Sequence, residues 1–153
     1  MNIEPAYILA LIVFFLILFA AVPYLLLFQK NKTKLNSLKN IYLDQLKNDS
    51  TNSFLVFLNT VSGFKKILKI HPCEAVGIVT VSKDKLELSG AYLSGNKIQE
   101  QCDKLLSPPL WIGDDFRNGR YYWLNLSFSK NSEYTCGLPS KKEAQALFDA
   151  INR

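Results

Sequence analysis

The chain has 153 residues, of which 48% are hydrophobic and 20% are charged, and its net charge is +5. That length allows one small domain besides a membrane segment and excludes several large domains. The basic excess lies in residues 29–69, which have eight lysines against Asp44 and Asp49, whereas residues 70–153 have ten basic and ten acidic residues. Nucleic-acid binding needs a basic face on the folded domain, so this distribution argues against a nucleic-acid partner.

Residues 6–28 form an uncharged apolar stretch, AYILALIVFFLILFAAVPYLLLF. About 20 such residues in a helix cross the hydrocarbon core of a bilayer, and a helix pairs every backbone polar group within the segment. The residues before the stretch contain Glu4 and no Lys or Arg, unlike the basic start of a secretory signal. We therefore predict a single transmembrane helix over residues 6–28, and its lack of ionisable side chains argues against an ion or proton path.

The lysines that follow this stretch predict its orientation. Lys and Arg accumulate on the cytoplasmic side of membrane helices. Residues 1–5 are therefore expected outside, and the C-terminal part is expected on the cytoplasmic side or on an equivalent stromal or matrix side. Anionic lipid attracts nearby lysines, so four of them are expected to contact the membrane surface: Lys30, Lys32, Lys34 and Lys39.

Residues 29–53 read as a basic juxtamembrane helix followed by a linker. Apolar residues recur every three or four positions along it, at Leu35, Leu38, Tyr42 and Leu46. This stripe either lies on the membrane surface or packs on a partner or on the protein's own domain. It is too short for a coiled coil.

Residues 54–153 are predicted to form a small α+β domain of order β-β-α-β-β-α, preceded by a further helix. The predicted helices are 54–70, 96–106 and a final one capped by Ser140 and Glu143; the predicted strands are 75–82, 86–93, 121–129 and 134–138; residues 110–120 are predicted to be a loop. The final hairpin followed by an amphipathic helix resembles the end of pleckstrin-homology-like domains. That resemblance implies a domain that binds lipid head groups or a small ligand.

No residue pattern indicates catalysis, a cofactor or a metal. His71, Cys73, Cys102 and Cys136 lack the close pair spacing of zinc sites. The Asp114–Asp115 pair follows a glycine and is interpreted as a turn. The chain is therefore not expected to be an enzyme, and the cysteines are expected to be reduced.

Aromatic and arginine side chains suggest a surface for a partner instead, because Trp, Tyr and Arg dominate binding hot spots. The candidate surface consists of Trp111, Phe116, Arg117, Arg120, Tyr121 and Trp123. The alternative is that these aromatic residues are covered by the helix predicted over 54–70 or by the membrane.

The predicted function is that of a single-pass membrane protein that presents a small soluble domain for protein–protein interaction. Its partners would be the lipid bilayer and a membrane protein complex, in which it acts as an accessory subunit, scaffold or assembly factor. The alternative is a membrane-tethered binder of lipid head groups or a small ligand. That binder would need a basic pocket, for which the candidates are Lys65, Lys66, Arg117 and Arg120.

Overall fold

The computed structural model of the protein describes residues 5–48, 52–60, 73–103, 105, 107–114 and 121–153. Within these ranges the chain forms two helices and seven strands. The helices are α1 (Pro5–Asn48) and α2 (Lys141–Ile151). The strands are β1 (Asn52–Thr60), β2 (Ala75–Val81), β3 (Leu86–Tyr92), β4 (Lys97–Cys102), β5 (Leu110–Asp114), β6 (Tyr122–Ser129) and β7 (Ser132–Leu138).

The seven strands form one antiparallel sheet in the order β4-β3-β2-β1-β7-β6-β5. Strand β1 lies at the centre, where it pairs with β2 on one side and with β7 on the other. A sheet with helices packed on it is an α+β fold, so the predicted fold class is confirmed.

The inner face of the sheet carries the main core. Val56 and Leu58 of β1 meet Leu124 and Leu126 of β6 there, and α2 covers them with Ala144 and Leu147. All six side chains are fully buried.

The sheet curls around this core, because its edge strand β4 reaches across to β7. The Oε1 atom of Glu100 on β4 accepts hydrogen bonds from the Ser132 hydroxyl at 2.8 Å and from the Tyr134 hydroxyl at 3.2 Å. These two bonds hold β4 close to a strand that lies four places away in the sheet order.

The outer face of the sheet packs against the second half of α1. Leu35 and Tyr42 of the helix are buried with Phe57, Val76 and Ile78 of β1 and β2. Leu38 and Leu46 are partly buried in the same cluster. The apolar stripe of residues 32–48 therefore packs on the protein's own domain, which is one of the alternatives that the sequence leaves open.

The helix predicted over 54–70 is wrong for residues 54–60, which belong to β1; residues 61–70 lie outside the described part. Both faces of β1 are covered, since Val56 and Leu58 point to the inner core and Leu55 and Phe57 to α1. A strand that is buried on both sides reads as an unbroken apolar run, and such a run also matches helical spacing.

The helix predicted over 96–106 is also wrong, because residues 97–102 form the edge strand β4. Ile98 is buried, whereas Lys97, Gln99 and Gln101 are exposed, which is the alternation of a strand. Lys, Gln and Glu favour helices in isolation, and pairing with β3 overrides that preference. The predicted loop starting at residue 110 is corrected in the same way, since Leu110–Asp114 is β5.

Both predicted hairpins are confirmed as β2–β3 and β6–β7. The final helix is confirmed as well, with Ser140 as its N-cap. The observed order is therefore α1, seven strands and α2, rather than β-β-α-β-β-α after a second helix.

Candidate functional site

The first half of α1 presents an apolar surface that no other described part of the fold covers. Every described side chain from Tyr7 to Phe28 is exposed. Within the described residues α1 is the one helix that is long and apolar enough to cross a membrane, and its most apolar segment is 0% buried. Exposed apolar surfaces of this size are typical of segments that contact a membrane or another protein.

The second half of α1 continues from the first without a break, through Pro23 and up to Asn48. We call residues 29–48 the stalk. The lysines predicted to contact the membrane surface, Lys30, Lys32, Lys34 and Lys39, are all exposed. The Nζ atom of Lys34 donates a hydrogen bond to the Leu93 carbonyl at 3.1 Å, so this lysine ties the stalk to the end of β3.

Trp123, which the sequence places in the candidate partner surface, is only 1% exposed. Its ring lies over Gly137 of β7, and Tyr121 packs beside it with ring centroids 5.7 Å apart. Tyr121 in turn packs on Phe57 of β1, with ring centroids 4.6 Å apart. Trp123 is therefore a buried residue, and an exposed position for it is ruled out in this fold.

Polar residues on the same outer face are buried too. The strand register places Asn59 of β1 beside Thr135 of β7, and Thr135 beside Asn125 of β6. Asn59 is 0% exposed and Thr135 is 1% exposed. The outer face of β1, β7 and β6 is therefore an interior surface of the protein, which agrees with the burial of Trp123.

Trp111 behaves differently from Trp123. It pairs with Leu124 on the inner side of the sheet and stacks on Phe148 of α2, with ring centroids 5.7 Å apart. It remains 38% exposed, and its neighbour Leu110 is 60% exposed. Trp111 and Trp123 therefore lie on opposite faces of the sheet, and only Trp111 is accessible.

We call Trp111 and Phe148 the β5 patch; Leu110 pairs with Asn125 and so points to the opposite, outer face of the sheet. The other predicted members of the partner surface, Phe116, Arg117 and Arg120, lie outside the described residues. Phe148 was not predicted to belong to it, since its contact with Trp111 arises only in the tertiary fold.

The ionisable groups of the inner core have a structural role. Burial raises the pKa of the Cys136 thiol and of the Tyr134 phenol, and for Tyr134 the neighbouring Tyr92 and Glu100 add to the rise. A thiol with a raised pKa stays protonated and is a poor nucleophile. The described residues contain no group of three or more His, Cys, Asp or Glu side chains placed to hold a metal ion.

The predicted Asp114–Asp115 pair lies only partly within the described residues. Asp114 is the last residue of β5 rather than part of a turn, and Asp115 lies outside the described residues. The residues considered for the basic pocket of a head-group binder also lie outside the described residues: Lys65, Lys66, Arg117 and Arg120.

No protein-family model, curated protein or solved structure matches this chain.

Proposed function

We propose that the protein is a single-pass membrane protein that holds a small α+β domain at the membrane surface for contact with another protein. It serves as an accessory subunit, scaffold or assembly factor of a membrane complex. One observation supports this most directly. The exposed apolar half of α1 continues without a break into the stalk, and one side of the stalk packs on the sheet.

The apolar half has the dimensions of a membrane span. Its 23 residues extend about 34 Å as a helix, against a hydrocarbon core about 30 Å thick. Tyr7 and Tyr24 lie near its two ends, where amphipathic rings prefer the interface. The lysines that begin at Lys30 then favour a domain on the cytoplasmic, stromal or matrix side.

The β5 patch is the surface that we assign to the partner. It lies on an edge strand of the sheet, and it consists of the accessible Trp111 ring and the Phe148 ring on which Trp111 stacks. A tryptophan whose ring is already ordered loses little conformational freedom on binding, and Trp is enriched among the residues that dominate interfaces.

The test is a mild-detergent purification of the full-length protein from its native membrane, followed by mass spectrometry. It compares the wild type with Trp111→Ala and with Ile41→Ala. Ile41 is 51% exposed on the stalk, so it is a matched apolar control outside the patch. We expect Trp111→Ala to lose the co-purifying proteins and Ile41→Ala to keep them, with both variants still in the membrane fraction.

Equal recovery of the same proteins with both variants would contradict the assignment of the β5 patch. A thermal unfolding curve of each variant shows that any loss reflects the surface rather than the fold. Membrane insertion and orientation are tested separately, by extraction at alkaline pH and by a tag placed after Arg153. Release of the protein by alkali, or a tag that is accessible only from outside, would contradict the proposal.

A further inference from the structure

The domain begins almost directly where the apolar half of α1 ends. Only Gln29 and Lys30 separate Phe28 from Asn31, which is already partly buried, and Leu35 is buried one turn later. The chain therefore has no linker between the apolar segment and the packed stalk. The end of the domain nearest Phe28 must lie close to the plane where the apolar segment ends.

The chain direction identifies which end of the sheet this is. The stalk runs away from Phe28 to Asn48, and β1 begins at Asn52 and returns along it. Strand β2 is antiparallel to β1, and β3 is antiparallel to β2. Strand β3 therefore also runs back towards the apolar segment, and it ends at Tyr92.

The contacts at the end of β3 agree with this direction. The Leu93 carbonyl accepts the hydrogen bond from Lys34, and the Leu93 N–H donates to the Glu74 carbonyl at 2.8 Å. Residues 93–96, which join β3 to β4, form the turn at the end of β3 that faces the apolar segment. The turn between β2 and β3, residues 82–85, lies at the opposite end of the same two strands.

The height of the 93–96 turn follows from the helix rise. Lys34 is six residues beyond Phe28, which places it about 9 Å above the end of the apolar segment. The head-group layer on each side of a bilayer is roughly 5–8 Å thick. Leu93 accepts a hydrogen bond from the end of the Lys34 side chain, so it lies within one lysine side chain of this height, near the outer edge of that layer.

The chemistry of this region suits lipid phosphate. Ser94, Gly95, Asn96 and Lys97 are all exposed. The turn and the adjoining stalk, taken as residues 93–97 and 29–35, contain four lysines and no acidic residue. Lysines near an anionic membrane surface each contribute about 1 kcal/mol to binding.

We propose that residues 93–97 rest in the phospholipid head-group layer of the membrane that α1 crosses, so that the domain has one fixed face towards the bilayer. This inference rests on the proposed membrane anchor. It adds a second contact with the same bilayer, made by the folded domain itself.

The test uses the full-length protein in vesicles of phosphatidylcholine and phosphatidylglycerol. Single fluorophores are attached at Ser94→Cys, at Asp84→Cys in the opposite turn, and at Leu16→Cys within the apolar segment. The background carries Cys102→Ser, because Cys102 is partly exposed, whereas Cys73 and Cys136 are buried. The background protein without an added cysteine must remain unlabelled.

Nitroxide-bearing lipids report the position of each fluorophore. We expect a nitroxide on the head group to remove most of the fluorescence at position 94 and little of it at position 84. A nitroxide within the acyl chain should quench position 16. Quenching at 16 without quenching at 94 overturns this inference alone, whereas no quenching at 16 overturns the membrane anchor.

A lifted variant provides the matched control. Seven helix-forming residues inserted after Gln29 raise the domain by about 10 Å and turn it by nearly two full rotations, so that the same face stays downward. Quenching at position 94 should then be lost while quenching at position 16 persists. Undiminished quenching at 94 in the lifted variant would overturn the inference, because a flexible attachment rather than the helix would then set the height.

Discussion

The indole ring of Trp123 occupies the space that a side chain at Gly137 would fill. The two residues are direct partners in the β6–β7 pair, and a Cβ atom built on Gly137 would lie 2.6 Å from Cζ3 of Trp123. Phe57 pairs with Gly137 from the other side. The glycine therefore lets a large ring lie flat against the sheet at the centre of the outer face.

Gly137→Ala is expected to destabilise the domain by about 1–3 kcal/mol, because the methyl group must displace a buried ring. A double-mutant cycle with Trp123→Leu isolates the cause. With the smaller leucine in place, Gly137→Ala should cost little. Urea unfolding of the four proteins in detergent measures this, and an equal cost of Gly137→Ala in both backgrounds would show that the ring is not responsible.

The stalk offers a matched pair of neighbouring apolar residues. Tyr42 is 9% exposed against the sheet, whereas Ile41 is 51% exposed. We expect Tyr42→Ala to lower the free energy of unfolding by about 2–4 kcal/mol and Ile41→Ala by less than about 0.5 kcal/mol. Thermal unfolding in detergent measures both, and similar values for the two variants would mean that the stalk does not pack on the sheet.

Ser140 begins α2 through a reciprocal pair with Glu143. The Ser140 hydroxyl accepts from the Glu143 N–H at 3.2 Å and donates to Oε2 of Glu143 at 2.8 Å. Ser140→Ala should cost about 1 kcal/mol. Ser140→Asp should keep most of the stability, since an aspartate also caps a helix. Hydrogen exchange of the first amides of α2 reports the cap, and unchanged exchange in Ser140→Ala would contradict its role.

The stability of the domain is expected to fall in alkaline solution. Burial raises the pKa of the Cys136 thiol above its ordinary value of 9.0, and burial likewise raises the pKa of the Tyr134 phenol above 10.0. The folded protein therefore holds these protons more tightly than the unfolded chain does. Their contribution is fully present below about pH 9 and is lost as the pH rises towards the folded-state values.

Urea unfolding of the wild type and of Cys136→Ala, measured at several pH values from 7 upward, tests this sign. The free energy of unfolding of the wild type should decline more steeply above about pH 9 than that of Cys136→Ala. Parallel declines would show that Cys136 does not contribute. The comparison uses slopes, because removal of the buried thiol also changes the stability at neutral pH.

The elements that the sequence predicts correctly carry local signals. The β6–β7 hairpin alternates in hydrophobicity, and Ser140 with Glu143 marks the start of α2. The apolar stripe of the stalk is equally clear in the sequence, but only the fold shows whether it packs on the membrane surface, on a partner or on the protein's own sheet. Whether Leu35 and Tyr42 face lipid or a sheet depends on residues far away in the chain, such as Phe57 and Val76.

The elements predicted wrongly are those whose environment is set by distant strands. Strand β1 lies at the centre of the sheet with both faces covered, so its side chains do not alternate in polarity. Strand β4 has the composition of a helix and is held in the sheet by β3 and by the bonds of Glu100. Trp123 and Trp111 look alike in sequence, and only the register of β6 against β5 and β7 separates the buried ring from the exposed one.

Because α1 is unbroken, a tilt of its proposed membrane-spanning half would also tilt the stalk and the domain packed on it. Membrane helices tilt by about 20° on average, and the tilt changes with bilayer thickness. The 20 residues of the stalk, 29–48, extend about 30 Å, so a tilt of that size moves the far end of the domain sideways by about 10 Å. A change in membrane thickness would then shift the β5 patch relative to a neighbouring protein, without any change inside the domain itself.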